Sequence, residues 1–431
     1  MQSIKCIRIG LESGEFDGKL TDLYCRSGDE LAPYRERMMR LMDGFKSEFS
    51  CDDEKPVVIC SAPGRTEIGG NHTDHQRGKV LTGSVDLDAL ACAAKNENGT
   101  VRIYSEGYGM NELDISDLHP KEEEKNTTKG LIRGMIAAAT EKGYEVGGFD
   151  AYVISDVPGG SGLSSSACFE VLLGELINDL FCNREIPSEE IAKMGKYAEN
   201  VYFGKPSGLL DQMGCAMGGI VAIDFKNESA PEIHRVDFDF SNTGYALCII
   251  DTGADHSGLT DEYAAVTEEM KSVARALGKE VLGEVEAEEF YARVPQIRKT
   301  VGDRALMRAI HYFTDNQRVD EMVKALENDD FESFLKLVSS SGHSSFMFLQ
   351  NVDTYKNPMQ QPVALAIAMA GYCLKNRGAR RVHGGGFAGT IQAYVPIDSL
   401  DEFKIGMDSV FGEESCRITY IRPVGGTAVT V

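Results

Sequence analysis

The chain has 431 residues, 42% hydrophobic and 26% charged, with 44 Lys and Arg against 67 Asp and Glu, a formal charge of −23, and no Trp. This is an ordinary globular composition, long enough for two or three domains with sizeable cores, and it excludes disordered, collagen-like and small-scaffold chains. An acidic chain without a Lys/Arg block lacks the basic face that drives nucleic-acid binding, so no nucleic-acid partner is expected, and an anionic substrate needs a locally positive site.

Residues 1–45 carry no motif and are expected to be an extension packed on the domain that follows. Their first stretch places acidic residues where a signal peptide has its apolar core, so no export is implied and a cytoplasmic location is expected. The longest apolar run, Pro362 to Leu374, falls short of the ~18 residues that suggest a membrane span and reads as a buried helix. Eleven Cys without a C-x-x-C pair, several inside apolar runs (Cys168, Cys248, Cys373), read as reduced core residues.

Val57-Val58-Ile59 predicts a strand. Behind it, Ser61 to Gln76 is expected as an irregular Gly-rich loop that offers Arg65, Asn71, His72 and Asp74 to a polyhydroxylated ligand, a solvated loop being the plainer alternative. His72 and His75 have H-x-x-H spacing without a third ligand, too little for a metal site.

Tyr152-Val153-Ile154 predicts a second strand, and Phe169, Leu172, Leu173, Leu176 and Leu180 mark one face of a helix beginning near Ser166. Between them lie Gly159, Gly160, Ser161, Gly162, Leu163, Ser164, Ser165 and Ser166. A strand, a Gly-rich turn and a helix start aim backbone N–H groups and a helix dipole at an anion, and the serines add a cap, donors to phosphate and a possible Mg²⁺ ligand. A tight turn with one Ser cap accounts for part of this run only. No Lys is present, so it is not the P-loop.

A further helix is predicted from Ser188 to Tyr202, with Ile191, Met194, Tyr197, Ala198 and Val201 inward. Glu199 near its end precedes Gly204 to Gln212, where a Pro and a Gly set up Asp211. An aspartate can accept the hydroxyl proton in phosphoryl transfer while a neighbouring Arg keeps it ionised; an Asx turn or helix cap is the competing reading.

Strands are predicted at Ile220–Ile223 and Leu247–Ile250, and the polar turn Lys226 to Pro231 suggests a division into 1–225 and 226–431. The alternation of strands and helices gives an α/β or α+β fold. Asp251-Thr252-Gly253-Ala254 looks like an aspartic-protease loop, but no second copy supplies the partner carboxylate. Gly384 to Gly389 matches G-x-G-x-x-G, but it precedes a strand, Thr390 to Val395, where a dinucleotide site needs a helix.

In chain order these pieces resemble the GHMP small-molecule kinases, and among them the galactokinases, from about Phe49 onward. Pro63 to His75 is similar to the first galactokinase motif, P-G-R-V-N-L-I-G-E-H-T-D-Y, Pro158 to Ala167 to P-x-G-x-G-L-S-S-S-A, and Gly384 to Gly389 to the late Gly-rich turn. Glu199 to Gln212 and His256 to Tyr263 resemble two linking segments, the second bringing a tyrosine to the sugar. The resemblance implies an N-terminal domain like domain 2 of ribosomal protein S5, a ferredoxin-like C-terminal domain, and a cleft between them. It implies ATP and Mg²⁺ as cofactors, with Gly159 to Ser166 around the phosphates and Ser165 or, in first place, Ser166 with Glu199 on the metal. Asp211 would be the base or electrostatic partner with Arg65 beside it, and Asn71, His72, Asp74, Gly208 and Tyr263 would face the sugar.

The departures concentrate on the sugar side: Glu67, Gly69 and Asn71 replace Asn, Ile and Glu, Asp255 replaces an Arg, and Ser207 a Cys. A neutral Asn71 removes a charge that would repel a carboxylate, and Asp74-His75-Gln76 looks like the ending found in galacturonate kinases. Galactose 1-phosphorylation is therefore expected, with a uronate or another C6-modified or amino sugar as the alternative substrate. A silent sugar sensor is a third reading, opposed by the presence of Arg65, Ser164 to Ala167 and Asp211.

Overall fold

The computed structural model describes residues 1–430 apart from 160, 161, 206, 229 and 255–257. The fold is mixed α/β on two sheets. In chain order the strands are β1 (Gln2–Ser3), β2 (Pro56–Gly69), β3 (Lys79–Lys95), β4 (Thr100–Ser105), β5 (Gly109–Asp114), β6 (Phe149–Ser155), β7 (Ile220–Asp224), β8 (Glu232–Val236), β9 (Tyr245–Asp251), β10 (Ala379–His383), β11 (Thr390–Pro396), β12 (Cys416–Thr419) and β13 (Thr427–Ala428). The first sheet runs β1-β2-β3-β6-β4-β5, with β13 beside β2 and the β7–β8 hairpin beside β3.

Alternation along β2 explains why this sheet is covered on both faces. Val58, Cys60 and Ala62 enter a core shared with the helices Thr128–Glu141, Ser165–Phe181, Ser188–Tyr197 and Leu210–Met217. Val57 and Ile59 point the other way, into a core with Ile4, Leu20, Tyr24, Met38 and Phe45. Residues 1–45 therefore bury the far face of the sheet.

The second sheet runs β10-β11-β9-β12, antiparallel throughout. Read from β12, the strand order within this half is 4-1-3-2, the ferredoxin-like arrangement. Lys226 to Pro231 lies within the β7–β8 connection, and the chain crosses to the second sheet between Val236 and Tyr245. We propose that the division between two domains follows Val236, with residues 427–430 returning to the first.

Three expectations are corrected. Ser61 to Gly69 is not loop but the second half of β2: register shifts at Pro63/Arg65 and Glu67/Gly69 mark bulges that keep a Pro- and Gly-bearing run in the sheet. The helix from Ser188 is α only to Tyr197, and a π turn over Ala198–Phe203 changes the period, which leaves Val201 41% exposed. Pro362–Leu374 is a helix as expected but buries one face, through Val363, Ala366, Ala370 and Leu374, because it lies on the outside of the second sheet; Tyr372 is 78% exposed. No helix among the described residues is long and apolar enough to cross a membrane. All eleven Cys are unpaired, Cys168 and Cys248 buried and Cys373 half-buried.

Candidate active site

The Gly/Ser turn is tied to β2 by its backbone. Arg65 N–H donates to Leu163 O at 3.1 Å, and the Arg65 guanidinium donates to Gly162 O. Asp211, in the first turn of Leu210–Met217, completes the cluster: its Oδ1 accepts from Arg65 Nε at 2.8 Å with Nη2 at 2.7 Å, and its Oδ2 accepts from Ser164 Oγ at 2.6 Å. Desolvation is the largest single influence on this carboxyl and works against ionisation. The Arg65 charge, the Ser164 hydroxyl and Lys205 together outweigh it and hold the pKa of Asp211 below its ordinary value. Ser164 reaches back to Asp211 from a left-handed backbone, φ +56°, just before the helix Ser165–Phe181 begins.

Ser165 and Ser166 occupy the first helical turn, where N–H groups lack intrahelical partners. Gly159 is exposed at the mouth of the turn, whereas Leu163 is fully buried and contributes only its backbone. Gly162 has φ +71°, and a Cβ there would stand 2.6 Å from Thr390 Oγ1. Gly160 and Ser161 lie outside the described residues, as do Pro206, Asp255, His256 and Ser257.

Ser166 Oγ lies 3.5 Å from Glu199 Oε1, which also accepts from Lys205 Nζ at 2.7 Å. Glu199 Oε2 accepts from Gln212 Nε2 at 3.0 Å, and the same nitrogen reaches Glu170 Oε2 at 2.9 Å. Burial, and then the neighbouring Glu199, push the Glu170 pKa well above the ordinary value. Ser166 and Glu199 are two hard oxygen donors beside the turn. That set fits Mg²⁺ arriving on a nucleotide, since Mg²⁺ takes one or two protein oxygens and fills its shell from phosphate and water. No cage of three or more His, Cys, Asp or Glu occurs among the described residues.

A cavity of about 580 Å³ opens beside Asp211, lined by Arg65, Glu67, Asn71, His72, Asp74, Lys205, Gly208, Tyr263, Gly384 and Gly385 among others. Gly208 lies so close to Asp74 that a Cβ would overlap Asp74 Oδ2. Three successive carbonyls of the late Gly-rich turn hold the opposite wall: Gly384 O accepts from Asn71 Nδ2 (2.7 Å), Gly385 O pairs with His72 Nε2 (2.9 Å), and Gly386 O accepts from the Tyr263 hydroxyl (2.6 Å). His72 has φ +58°, and burial pulls its pKa down to about 4, so the ring is neutral near pH 7.

Sequence reasoning missed the groups that brace this wall. Arg381 Nη2 pairs with Glu67 Oε1 at 3.0 Å, and His383 Nε2 accepts the Glu67 N–H at 3.3 Å. Asn351 Nδ2 donates to Asn71 Oδ1 at 2.7 Å, and Asp315 Oδ2 accepts the N–H groups of Gly70 and Asn71, each at 3.2 Å. Arg380 and Arg381, charged residues before Val382 in what the structure shows as β10, were the available signal. Lys205, between Gly204 and Gln212, carries no sequence signal of its role beside Glu199. Behind the Gly/Ser turn, Arg37 of the helix Ala32–Phe49 pairs with Asp88 and with Asp156 Oδ2 at 3.0 Å.

The GHMP kinases N-terminal domain matches residues 127–219, and the galactokinase galactose-binding signature matches 43–95. A galactokinase from Glaesserella parasuis serovar 5 is 30% identical over 371 residues, covering 84% of this chain and 90% of that protein. The chain belongs to the galactokinase family. A Lactococcus lactis galactokinase is likewise 30% identical over 378 residues, covering 84% of this chain and 88% of the relative. The crystal structure of Lactococcus lactis galactokinase complexed with galactose matches with TM-score 0.77 and 26% identity, over 90% of this chain and 99% of that one. A mevalonate kinase at TM-score 0.58 and 15% identity shares the fold alone. This galactokinase-family chain is thus a sugar kinase that uses ATP.

Proposed function

We propose that this enzyme transfers the γ-phosphoryl group of Mg-ATP to the anomeric hydroxyl of galactose. The observation that carries the reading is the Asp211 carboxylate, clamped by Arg65 and Ser164 between the Gly/Ser turn on one side and the cavity on the other. The turn and the helix start at Ser165 would receive the triphosphate, with the sugar in the cavity. As the sugar oxygen bonds to phosphorus and the bond to the β-phosphate oxygen breaks, the hydroxyl proton passes to Asp211 and ADP leaves. A carboxylate held below its usual pKa is a weak base, so it takes that proton late, when phosphorus has made the hydroxyl acidic. Arg65 keeps Asp211 ionised and places positive charge beside the migrating group. Ser166 and Glu199 would hold the magnesium, which offsets phosphate charge when bound. His72, Asp74, Gly208 and Tyr263 would orient the sugar, and Asn71 would shape its wall. Unpaired cysteines and a requirement for ATP support a cytoplasmic location.

The test is ADP release with Mg-ATP and galactose, galacturonate, N-acetylgalactosamine, glucose or arabinose, with the phosphorylated carbon assigned by NMR. Galactose turned over fastest, at C1, is the expected result. Preference for galacturonate or the amino sugar would transfer the reading to that substrate, and binding of sugar and ATP without ADP release would make the protein a sensor.

A further inference from the structure

Positions 67 and 71 carry a carboxylate and an amide in the reverse order of the galactokinase pattern, and the two side chains are bonded to each other, Asn71 Nδ2 to Glu67 Oε1 at 2.8 Å. Asn71 also donates to Gly384 O, and its Oδ1 accepts from Asn351 Nδ2 at 2.7 Å and Ser345 Oγ at 3.3 Å. Both of its N–H donors and both lone pairs are occupied, and the residue is fully buried, so Asn71 has no group left for a ligand. Glu67 differs. Its Oε1 is shared between Asn71 and Arg381, but its Oε2 accepts from no described residue, although Glu67 lines the cavity and is only 6% exposed. A carboxylate oxygen that opens onto the cavity and is taken by no described protein donor is free to accept from a ligand.

We propose that Glu67 is the specificity-determining residue of the cavity: its Oε2 accepts a hydrogen bond from a hydroxyl of a neutral pyranose, on the side of the ring remote from the oxygen that receives the phosphoryl group. Arg65 and Glu67 lie two residues apart on one face of β2, about 6.5 Å along the strand. Arg65 holds Asp211, so a ring presenting its anomeric hydroxyl to Asp211 extends toward Glu67. Where Glu67 is ionised, above about pH 7, a uronate would set its carboxylate against it, with Asp74 in the same wall. Arg381 offsets part of the Glu67 charge from behind, but it is fully buried and its amino groups are taken by Glu67 Oε1 and Ile68 O, so it offers a uronate carboxylate no donor. The carboxylate is thus displaced along the motif from position 71 to position 67, not removed from the site.

This inference rests on the sugar-kinase reading of the cavity. Its test is the steady-state kinetics of the wild-type enzyme and of Glu67→Gln with galactose, 4-deoxygalactose, 6-deoxygalactose and galacturonate, together with KM for ATP. The wild type is expected to lose about ten- to a hundred-fold in kcat/KM on one of the deoxy sugars, the range for a hydrogen bond to a charged group. Glu67→Gln is expected to lose as much on galactose and nothing further on that deoxy sugar, with KM for ATP unchanged. Equal handling of galactose and both deoxy sugars by the wild type overturns the proposal without any variant. So does an unaltered Glu67→Gln, or a wild-type preference for galacturonate. A wild type that binds ATP and turns over no sugar overturns the sugar-kinase reading itself, and this assignment with it.

Discussion

Gly208 has no side chain because the Asp74 carboxylate occupies the space a Cβ would need. Gly208→Ala is expected to displace Asp74 and raise KM for the sugar at least tenfold while leaving KM for ATP within about twofold, measured by varying each substrate in turn. Asp211→Asn keeps the shape but removes the charge Arg65 is paired to and the proton acceptor. Turnover should fall by about 10²–10⁴, the usual worth of a positioned base, with ATP affinity retained. Turnover within tenfold of wild type would remove Asp211 from the chemistry. Arg65, Ser164 and Asp211 were legible in the sequence because each sits in a short run whose residue types admit few other uses. Arg381, His383 and Asn351 were not, because their partners lie about 280 to 315 positions away, and nothing local distinguishes a buried brace from a surface charge.

Periodicity located the helix Ser165–Phe181 and the strand at Val57, both dictated by local apolar spacing. It could not show that β2 continues through Pro63 and Gly64 to Gly69, since the bulges that make this possible depend on pairing with β3. Nor could it assign the motif-less N-terminal segment. In the structure the helix Ala32–Phe49 carries Arg37 to Asp88 and Asp156, two carboxylates beside the turn proposed to receive a triphosphate. Asp88 and the pairing groups Tyr24 and Arg422 are fully buried, so this cluster cannot draw on water for neutralisation. Arg37→Gln is expected to leave the exposed Asp156 without its cation beside the turn and raise KM for ATP about tenfold or more, with KM for the sugar unchanged. Partial recovery in Arg37→Lys would show that charge, not packing, carries the effect.

The whole molecule buries titratable groups of both kinds, and these set the pH range in which it is stable. Burial raises Glu67 and Glu175 to about 7 and Asp86 to about 6. Between the ordinary carboxyl values and these raised ones, the folded state holds more protons than the unfolded state, so stability falls as pH rises toward 7. Burial lowers His72 to about 4 and also lowers His311 and His383, so below about 6.5 the unfolded state takes up the extra protons and stability falls as pH falls. The two trends oppose each other between about 4.5 and 6.5. Thermal melts across pH 4 to 8.5 should give a plateau there, a modest decline above pH 7 and a steeper loss below pH 4.5; a midpoint that climbs steadily to pH 8.5 would contradict this.

The pairing of β13 with β2 also bears on how the protein is made. Ile59 N–H donates to Thr430 Oγ1 across 371 positions, and Lys19 reaches Thr427 across 408. At about 5–20 residues per second, the ribosome delivers that last strand roughly 20 to 75 seconds after its partner has emerged. Throughout that interval the edge of β2 has open backbone groups, a template for pairing with another chain. The nascent protein should therefore depend on chaperones that shield strand edges, and removal of residues 427–431 should make this dependence permanent, moving the expressed protein from the soluble to the aggregated fraction.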